Sequence, residues 1–222
     1  MPLFDVVTFD CYGTLVDWEE GIGSAFENAA AAAGVEIHRS SVLDAWARVE
    51  PQVQAESYRS YRDVLGETAA RIARHAGWAL DGGNRGFLAE SLPRWAPFPD
   101  TNAALAALAG AGCRLGVLSN VDDDLFAATR KQLTTAFDLV VTAQQVGAYK
   151  PSEAHFREAR RRIESGRWLH AAQSRFHDVA PARALGIPVA WVNRKGEPRE
   201  GGPVPDFEVP DMASLAALVL GN

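Results

Sequence analysis

The run Phe4-Asp5-Val6-Val7-Thr8-Phe9 is short, β-branched and mostly apolar, the make-up of a strand buried on both faces. The next run of that kind begins only at Arg114, and from there strands and helices alternate to the end of the chain. The alternation predicts a helix over 101–111, a strand from Arg114 to Leu118, a helix near 122–132 and a strand from Phe137 to Thr142. It continues with a helix over 152–163, a strand from Trp168 to Ala172, a helix over 179–185 and a strand from Pro188 to Asn193. Phe207-Glu208-Val209 reads as a last strand, and Asp211 as the cap of a helix ending at Leu220. Such alternation makes a parallel α/β sheet with right-handed crossovers.

Between Trp18 and Trp95 the β-branched runs disappear. Ile22, Phe26, Ala29 and Ala33, then Val42, Ala45 and Val49, then Tyr61, Leu65, Ala69, Ile72 and Ala76 recur at helical spacing. About four helices are expected, broken near Gly34, Pro51 and Asp81-Gly82-Gly83. Pro93, Pro97 and Pro99 mark the return to the alternating pattern. The helical block interrupts that pattern after its first strand, so it reads as an insertion, a cap or lid over the strand ends. The expected division is an α/β core of 1–16 and 97–222 with an α-helical cap of 17–96. The stretch from Lys195 to Pro205 reads as a Gly/Pro-rich loop.

Composition narrows the partners. A chain of 222 residues, 47% hydrophobic, can bury a core without a metal or disulfide staple. Its 22 Lys plus Arg stand against 28 Asp plus Glu, a net of -6, which argues against a dedicated nucleic-acid binder and against a polybasic membrane anchor. The run Arg157, Glu158, Arg160, Arg161, Arg162 reads as a solvated helix face. No apolar run approaches the ~20 residues of a spanning helix, and no basic n-region opens the chain. Cys11 and Cys113 are too few for a disulfide framework. A reduced, cytoplasmic protein is the expectation. A homodimer is the commonest assembly for such a chain.

Ligands of open parallel sheets bind at the carboxyl ends of the strands, and four strand ends here carry chemistry. The first ends at Asp10, followed by Cys11, Tyr12, a turn at Gly13, and Thr14. The second ends at Ser119-Asn120. The third is followed by Tyr149-Lys150-Pro151. The fourth ends at Gln173-Ser174, with His177 and Asp178 beyond. Asp10 is placed to attack an electrophilic carbon or phosphorus and form a covalent ester. Lys150 would hold it ionised, because a nearby cation lowers a carboxylate's pKa. Ser119, Asn120 and backbone amides of the Asp10–Thr14 turn suit an anionic substrate. Asp178 would orient Lys150 or activate water for the second half-reaction. Successive strand residues face opposite ways, so only the backbone amide of Cys11 is a candidate contact.

These residues carry a resemblance. Phe9-Asp10-Cys11-Tyr12-Gly13-Thr14-Leu15, Leu118-Ser119-Asn120, Tyr149-Lys150-Pro151 and Ser174 with Asp178 resemble the four motifs of the haloacid dehalogenase (HAD) superfamily, in order. The inserted block resembles the helical cap of its subclass I. The resemblance implies a HAD-like Rossmannoid three-layer sandwich. Phosphatases of the superfamily have a second Asp two residues after the first and an acidic residue before the motif-four serine, which helps hold Mg²⁺. This chain has Tyr12 and Gln173 at those positions. Asp-x-Tyr-Gly-Thr resembles instead the L-2-haloacid dehalogenases (type II). Their implied chemistry needs no cofactor: Asp10 displaces halide from C2 of a 2-haloalkanoate, and water hydrolyses the ester. Halide leaves as a stable anion, so no acid is needed at position 12.

The chain also departs from that family. The cap arginine that receives halide has its nearest match in Arg48, with Arg59 and Arg62 competing. A tyrosine six residues after the lysine is Phe156. Arg175 replaces the water-orienting asparagine, and His177 a tryptophan. Alternatives are a Mg²⁺-dependent phosphatase or a non-catalytic binding protein.

Plainer readings stand beside these. Thr14 and Ser119 also suit bonds to turn amides, Lys150 a solvated loop, Asp178 a helix N-cap. Tyr12 suits packing under the cap as well as substrate contact, and His177 a structural role as well as a pocket role. His155 and His170 read as structural. The five histidines show no metal-ligand spacing, so no metal site is expected.

Overall fold

The structure, a computed structural model, describes residues 1–80, 84–199 and 201–221. The break expected at Asp81-Gly82-Gly83 lies outside the described residues. The elements in chain order begin with β1 (Val6–Phe9), α1 (Trp18–Ala33), α2 (Arg39–Ala55), α3 (Tyr61–His75) and α4 (Phe87–Ser91). They continue with α5 (Thr101–Gly110), β2 (Arg114–Ser119), α6 (Asp123–Thr129), β3 (Leu139–Thr142), α7 (Ala143–Val146), α8 (Ala154–Ile163) and β4 (Trp168–Ala172). A π-helical turn (Arg175–Val179), α9 (Ala180–Ala184), β5 (Val189–Val192), β6 (Phe207–Val209) and α10 (Met212–Leu220) complete the chain. Among the described residues no helix is long and apolar enough to cross a membrane.

The chain divides into two compact units. One comprises Met1–Asp17, Pro97–Asn120 and Lys131–Asn222, the other Trp18–Ala96 and Val121–Arg130. The first unit is a parallel sheet in the order β3-β2-β1-β4-β5-β6. Of its inner strands β1, β4 and β5 are buried along their whole length and β2 in all but its first residue, which is why they read as apolar runs rather than alternating ones. Leu118, Val141, Phe156, Val179 and Trp191 belong to the apolar layer packed on the sheet. The strand order reverses between β1 and β4. Their following loops therefore part, and a crevice opens at the carboxyl ends of these two strands. α10 is shaped as its sequence implies: the Asp211 side chain accepts from Ser214 N at 2.7 Å.

The second unit is helical. Phe26 of α1 meets Phe87 of α4 edge-on at 5.1 Å, and Trp18 lies 6.5 Å from Trp46. Pro51 does not break the helix it was expected to end. α2 runs through it to Ala55, with Trp46, Glu50 and Val53 buried around it, so packing outweighs the one lost backbone bond. Residues Val121–Arg130, which the sequence assigns to the core, group with the helices. α6 packs on the turn Leu92–Arg94, and Asp122 adds a tie to α3. Its carboxylate accepts from the backbone N–H groups of Tyr61 (2.8 Å) and Arg62 (2.9 Å), satisfying first-turn amides of α3. Arg62 in turn pairs with Asp124 at 2.6 Å.

Candidate active site

The crevice is built from the loop after β1. Gly13 takes φ 98°, a left-handed conformation open to glycine, and the amides of Thr14, Leu15 and Val16 turn back to the Cys11 carbonyl. This folds Thr14 under Asp10. The Thr14 hydroxyl donates to Asp10 Oδ2 at 3.0 Å and accepts from Gln173 N at 2.9 Å, tying the loop after β1 to the loop after β4. Arg194, just past β5, donates twice to the Thr14 carbonyl, at 3.1 and 2.9 Å. It is paired with Asp100 and lies over the Phe98 ring.

Lys150 sits at the centre and is 1% exposed. Its ammonium donates to Asp10 Oδ1 at 2.9 Å, to Asp178 Oδ1 at 2.6 Å and to the Leu118 carbonyl at 2.8 Å. An ammonium has three protons, so all are spent inside the protein and Lys150 orients rather than binds. Asn120 holds it there. Its side-chain amide accepts from Lys150 N at 2.7 Å and donates to Lys150 O at 3.1 Å. The sequence reads Asn120 as a candidate substrate contact; the structure shows its side chain bonded to the lysine's backbone.

Burial and charge oppose each other here. Burial pushes the Asp10 carboxyl up, Lys150 offsets this only in part, and Asp178 adds to the rise. The sequence expects the reverse, with Lys150 winning; desolvation of a group 8% exposed is the stronger effect. For Asp178 burial also pushes upward, but Lys150 and His170 together bring the carboxyl to about 2. Burial pulls the Lys150 ammonium down, yet the two carboxylates hold it above its ordinary value. Burial pushes the Cys11 thiol well up, and the side chain is fully buried.

The other candidates fall out as follows. Among the described residues the Ser119 hydroxyl, fully buried at the end of β2, has no protein partner, and neither has Asp178 Oδ2. Tyr12 is half-buried at the tip of the first loop. Ser174 caps the π-helical turn, accepting from His177 N at 3.0 Å with His177 Nδ1 at 3.2 Å. Burial lowers the His177 imidazole. Arg175 lies over Trp191 and donates to the carbonyls of Arg199, Gly201 and Pro203. In the helical unit Arg59 pairs with Glu56 and Arg62 with Asp124. Arg48 is exposed on α2 and makes no ion pair among the described residues.

Sequence reasoning missed Arg194, Gln173 as a backbone donor, and His170. The ring of His170 is fully buried, and its Nε2 lies 3.0 Å from Asp178 Oδ1. A histidine inside an otherwise apolar strand was the available signal.

The family profile of haloacid dehalogenase-like hydrolases matches residues 4–180. An (S)-2-haloacid dehalogenase of Pseudomonas sp. (strain YL) is 30% identical over 220 residues, 96% of this chain and 93% of the relative. Haloacetate dehalogenase H-2 of Moraxella sp. (strain B) is 27% identical over 99% of each chain. The solved structure of L-2-haloacid dehalogenase from Xanthobacter autotrophicus superposes with a TM-score of 0.85 at 24% identity, covering 99% of both chains, and shows the same fold.

Proposed function

The chain belongs to the haloacid dehalogenase-like hydrolases, and we propose that it releases halide from C2 of a small 2-haloalkanoate through an ester on Asp10. What carries this reading is Asp10 held between Lys150 and Thr14, with Tyr12 rather than a carboxylate two residues on. One Asp10 oxygen attacks C2 from the side opposite the halogen, and halide leaves with the bonding pair. Burial favours this step, because it raises the energy of the carboxylate relative to the ester, which carries no charge. Water then adds to the Asp10 carbonyl carbon, and the 2-hydroxy acid departs with the oxygen that made the attack. The unpartnered Ser119 hydroxyl supplies a hydrogen bond to the substrate carboxylate.

The Mg²⁺-dependent phosphatase reading is not favoured. Tyr12 supplies no carboxylate to serve as acid and then base for a leaving alcohol and its attacking water, and Gln173 brings no carboxylate to a metal. We take the reaction as metal-free. The cytoplasm is the proposed setting, supported by two buried, unpaired cysteines. The (S)-2-haloacid and haloacetate dehalogenases among the relatives favour the (S) enantiomer and haloacetate as substrates.

The test is halide release with hydroxy-acid formation from haloacetates and both 2-chloropropionate enantiomers in EDTA, beside Asp10→Asn. Metal-independent release that the variant loses is expected. Phosphate release from a phosphomonoester dependent on Mg²⁺, with no halide from any substrate, would overturn the reading.

A further inference from the structure

A polar chain runs through the apolar layer beneath the sheet and ends at Asp178. Thr8 of β1 and His170 of β4 are register partners on adjacent strands, and Trp168 lies two residues before His170, on the same face. Trp168 Nε1 lies 2.8 Å from Thr8 Oγ1, Thr8 Oγ1 lies 2.9 Å from His170 Nδ1, and His170 Nε2 lies 3.0 Å from Asp178 Oδ1. Thr8 and His170 are fully buried, and Phe156 packs edge-on against the imidazole at 5.0 Å.

The direction of these bonds follows from what each group can do. An indole N–H only donates, so the Thr8 hydroxyl accepts from Trp168. The hydroxyl proton then has one acceptor within reach, His170 Nδ1. Nδ1 is therefore the acceptor, and the ring proton sits on Nε2, pointing at Asp178 Oδ1. That oxygen also accepts from Lys150 at 2.6 Å. Both of its lone pairs are taken, while Oδ2 has no protein partner.

We propose that Trp168, Thr8 and His170 form a positioning relay that locks Asp178 through Oδ1 and leaves Oδ2 to receive the hydrolytic water. The proposal rests on the ester mechanism above. In that mechanism the water oxygen bonds to Asp10 Cγ, and one water proton passes to Asp178 Oδ2. The bond from Cγ to the substrate-bearing oxygen breaks, and that oxygen takes the proton from Asp178 as it becomes the hydroxyl of the product. The second water proton goes to solvent as Asp10 regains its charge. A histidine kept only for packing would be poorly placed here. An apolar side chain fills a buried layer without the desolvation that an imidazole, a hydroxyl and an indole N–H impose.

Two measurements separate this proposal from the dehalogenase reading itself. The first needs no turnover: ¹⁵N-imidazole spectra of the histidine-labelled protein are expected to show His170 as the Nε2–H tautomer, and Thr8→Val to lose that preference. A proton found on Nδ1 in the wild-type protein overturns the relay whatever the enzyme's activity. The second is single-turnover kinetics with 2-chloropropionate, reading halide release and hydroxy-acid formation separately. His170→Leu is expected to keep a stoichiometric halide burst and to slow ester hydrolysis about 10- to 100-fold, the loss expected for one hydrogen bond to a charged group. Ester on Asp10 then accumulates, seen as a mass increase. His170→Gln, which keeps an N–H donor, is expected to recover part of the hydrolysis rate. Equal slowing of both steps in His170→Leu, with no recovery in His170→Gln, marks a structural residue and overturns the proposal. If His170→Leu does not fold, Thr8→Val decides by the same split. Absence of halide from the wild-type enzyme would count against the dehalogenase reading and leave the tautomer result standing on its own.

Discussion

Asp10 is reached by solvent through only a tenth of its side chain, 11% exposed, and that confinement sets its chemistry. It must be a carboxylate to attack carbon, and burial raises its pKa. The sign follows: as pH falls through the raised value, Asp10 takes up a proton and halide release is lost. The burst rate in single turnover should therefore fall with a midpoint above the ordinary aspartate value of about 3.9. Asp178, at about 2, and Lys150, held above its ordinary value, do not titrate in that window. His177 also interacts with Asp10, and a His177→Gln variant should keep the midpoint. A midpoint at or below the free-aspartate value would mean that Lys150 outweighs burial after all. At this scale much was legible. Asp10, Thr14, Lys150 and Asp178 sit in short motifs at strand ends, and the structure brings them within hydrogen-bond reach of one another. The partners that Asn120 and His170 take were not legible, because they lie 30 and 8 residues away in sequence, and neither spacing marks a contact.

Among the elements, α2 carries a buried acid that the site does not use. Glu50 is bonded to Gln54 and Tyr61 inside the helical unit, and burial raises its carboxyl to about 7. A folded-state pKa above the unfolded one means that the folded protein binds the extra proton. Its stability is then highest below about pH 4.5 and declines as pH rises towards 7. The full cost of ionising Glu50 is about 3 kcal/mol. Glu50→Gln should raise the melting temperature at pH 8, leave it nearly unchanged at pH 5, and flatten the pH dependence of unfolding between them. Equal effects at both values would show that Glu50 is ionised at little cost in the native protein. α3 makes a second point. Ser60 accepts from Asp63 N, and Asp122 completes the cap from a distant part of the chain. Val121–Arg130, which carries Asp122, groups with the helical unit.

For the molecule as a whole, charge is the property that reaches furthest. The net charge is -6, and within it the two carboxylates of Asp10 and Asp178 outnumber the one ammonium of Lys150 at the site. A haloalkanoate anion is therefore repelled at long range and must be held by short-range donors. Screening acts over ~10 Å at 0.1 M salt, so a non-halide salt should leave kcat/KM unchanged or raise it, by up to about twofold. A steep fall with salt would reveal a positive field that the composition does not contain.

The sequence by itself determined what depends on neighbours along the chain: which runs are strands, where the sheet is interrupted, and which residues stand at the strand ends. Periodicity and short motifs are local, and these features are written locally. Only the tertiary structure decided the balance of charge and contact at the site. Whether Asp10 is raised or lowered depends on how much water the fold removes against how close it brings Lys150. The tautomer of His170 depends on Thr8 arriving from another strand, and the grip on Thr14 depends on Arg194 arriving from beyond β5. Desolvation and hydrogen bonding act through space, and no spacing in the chain encodes them.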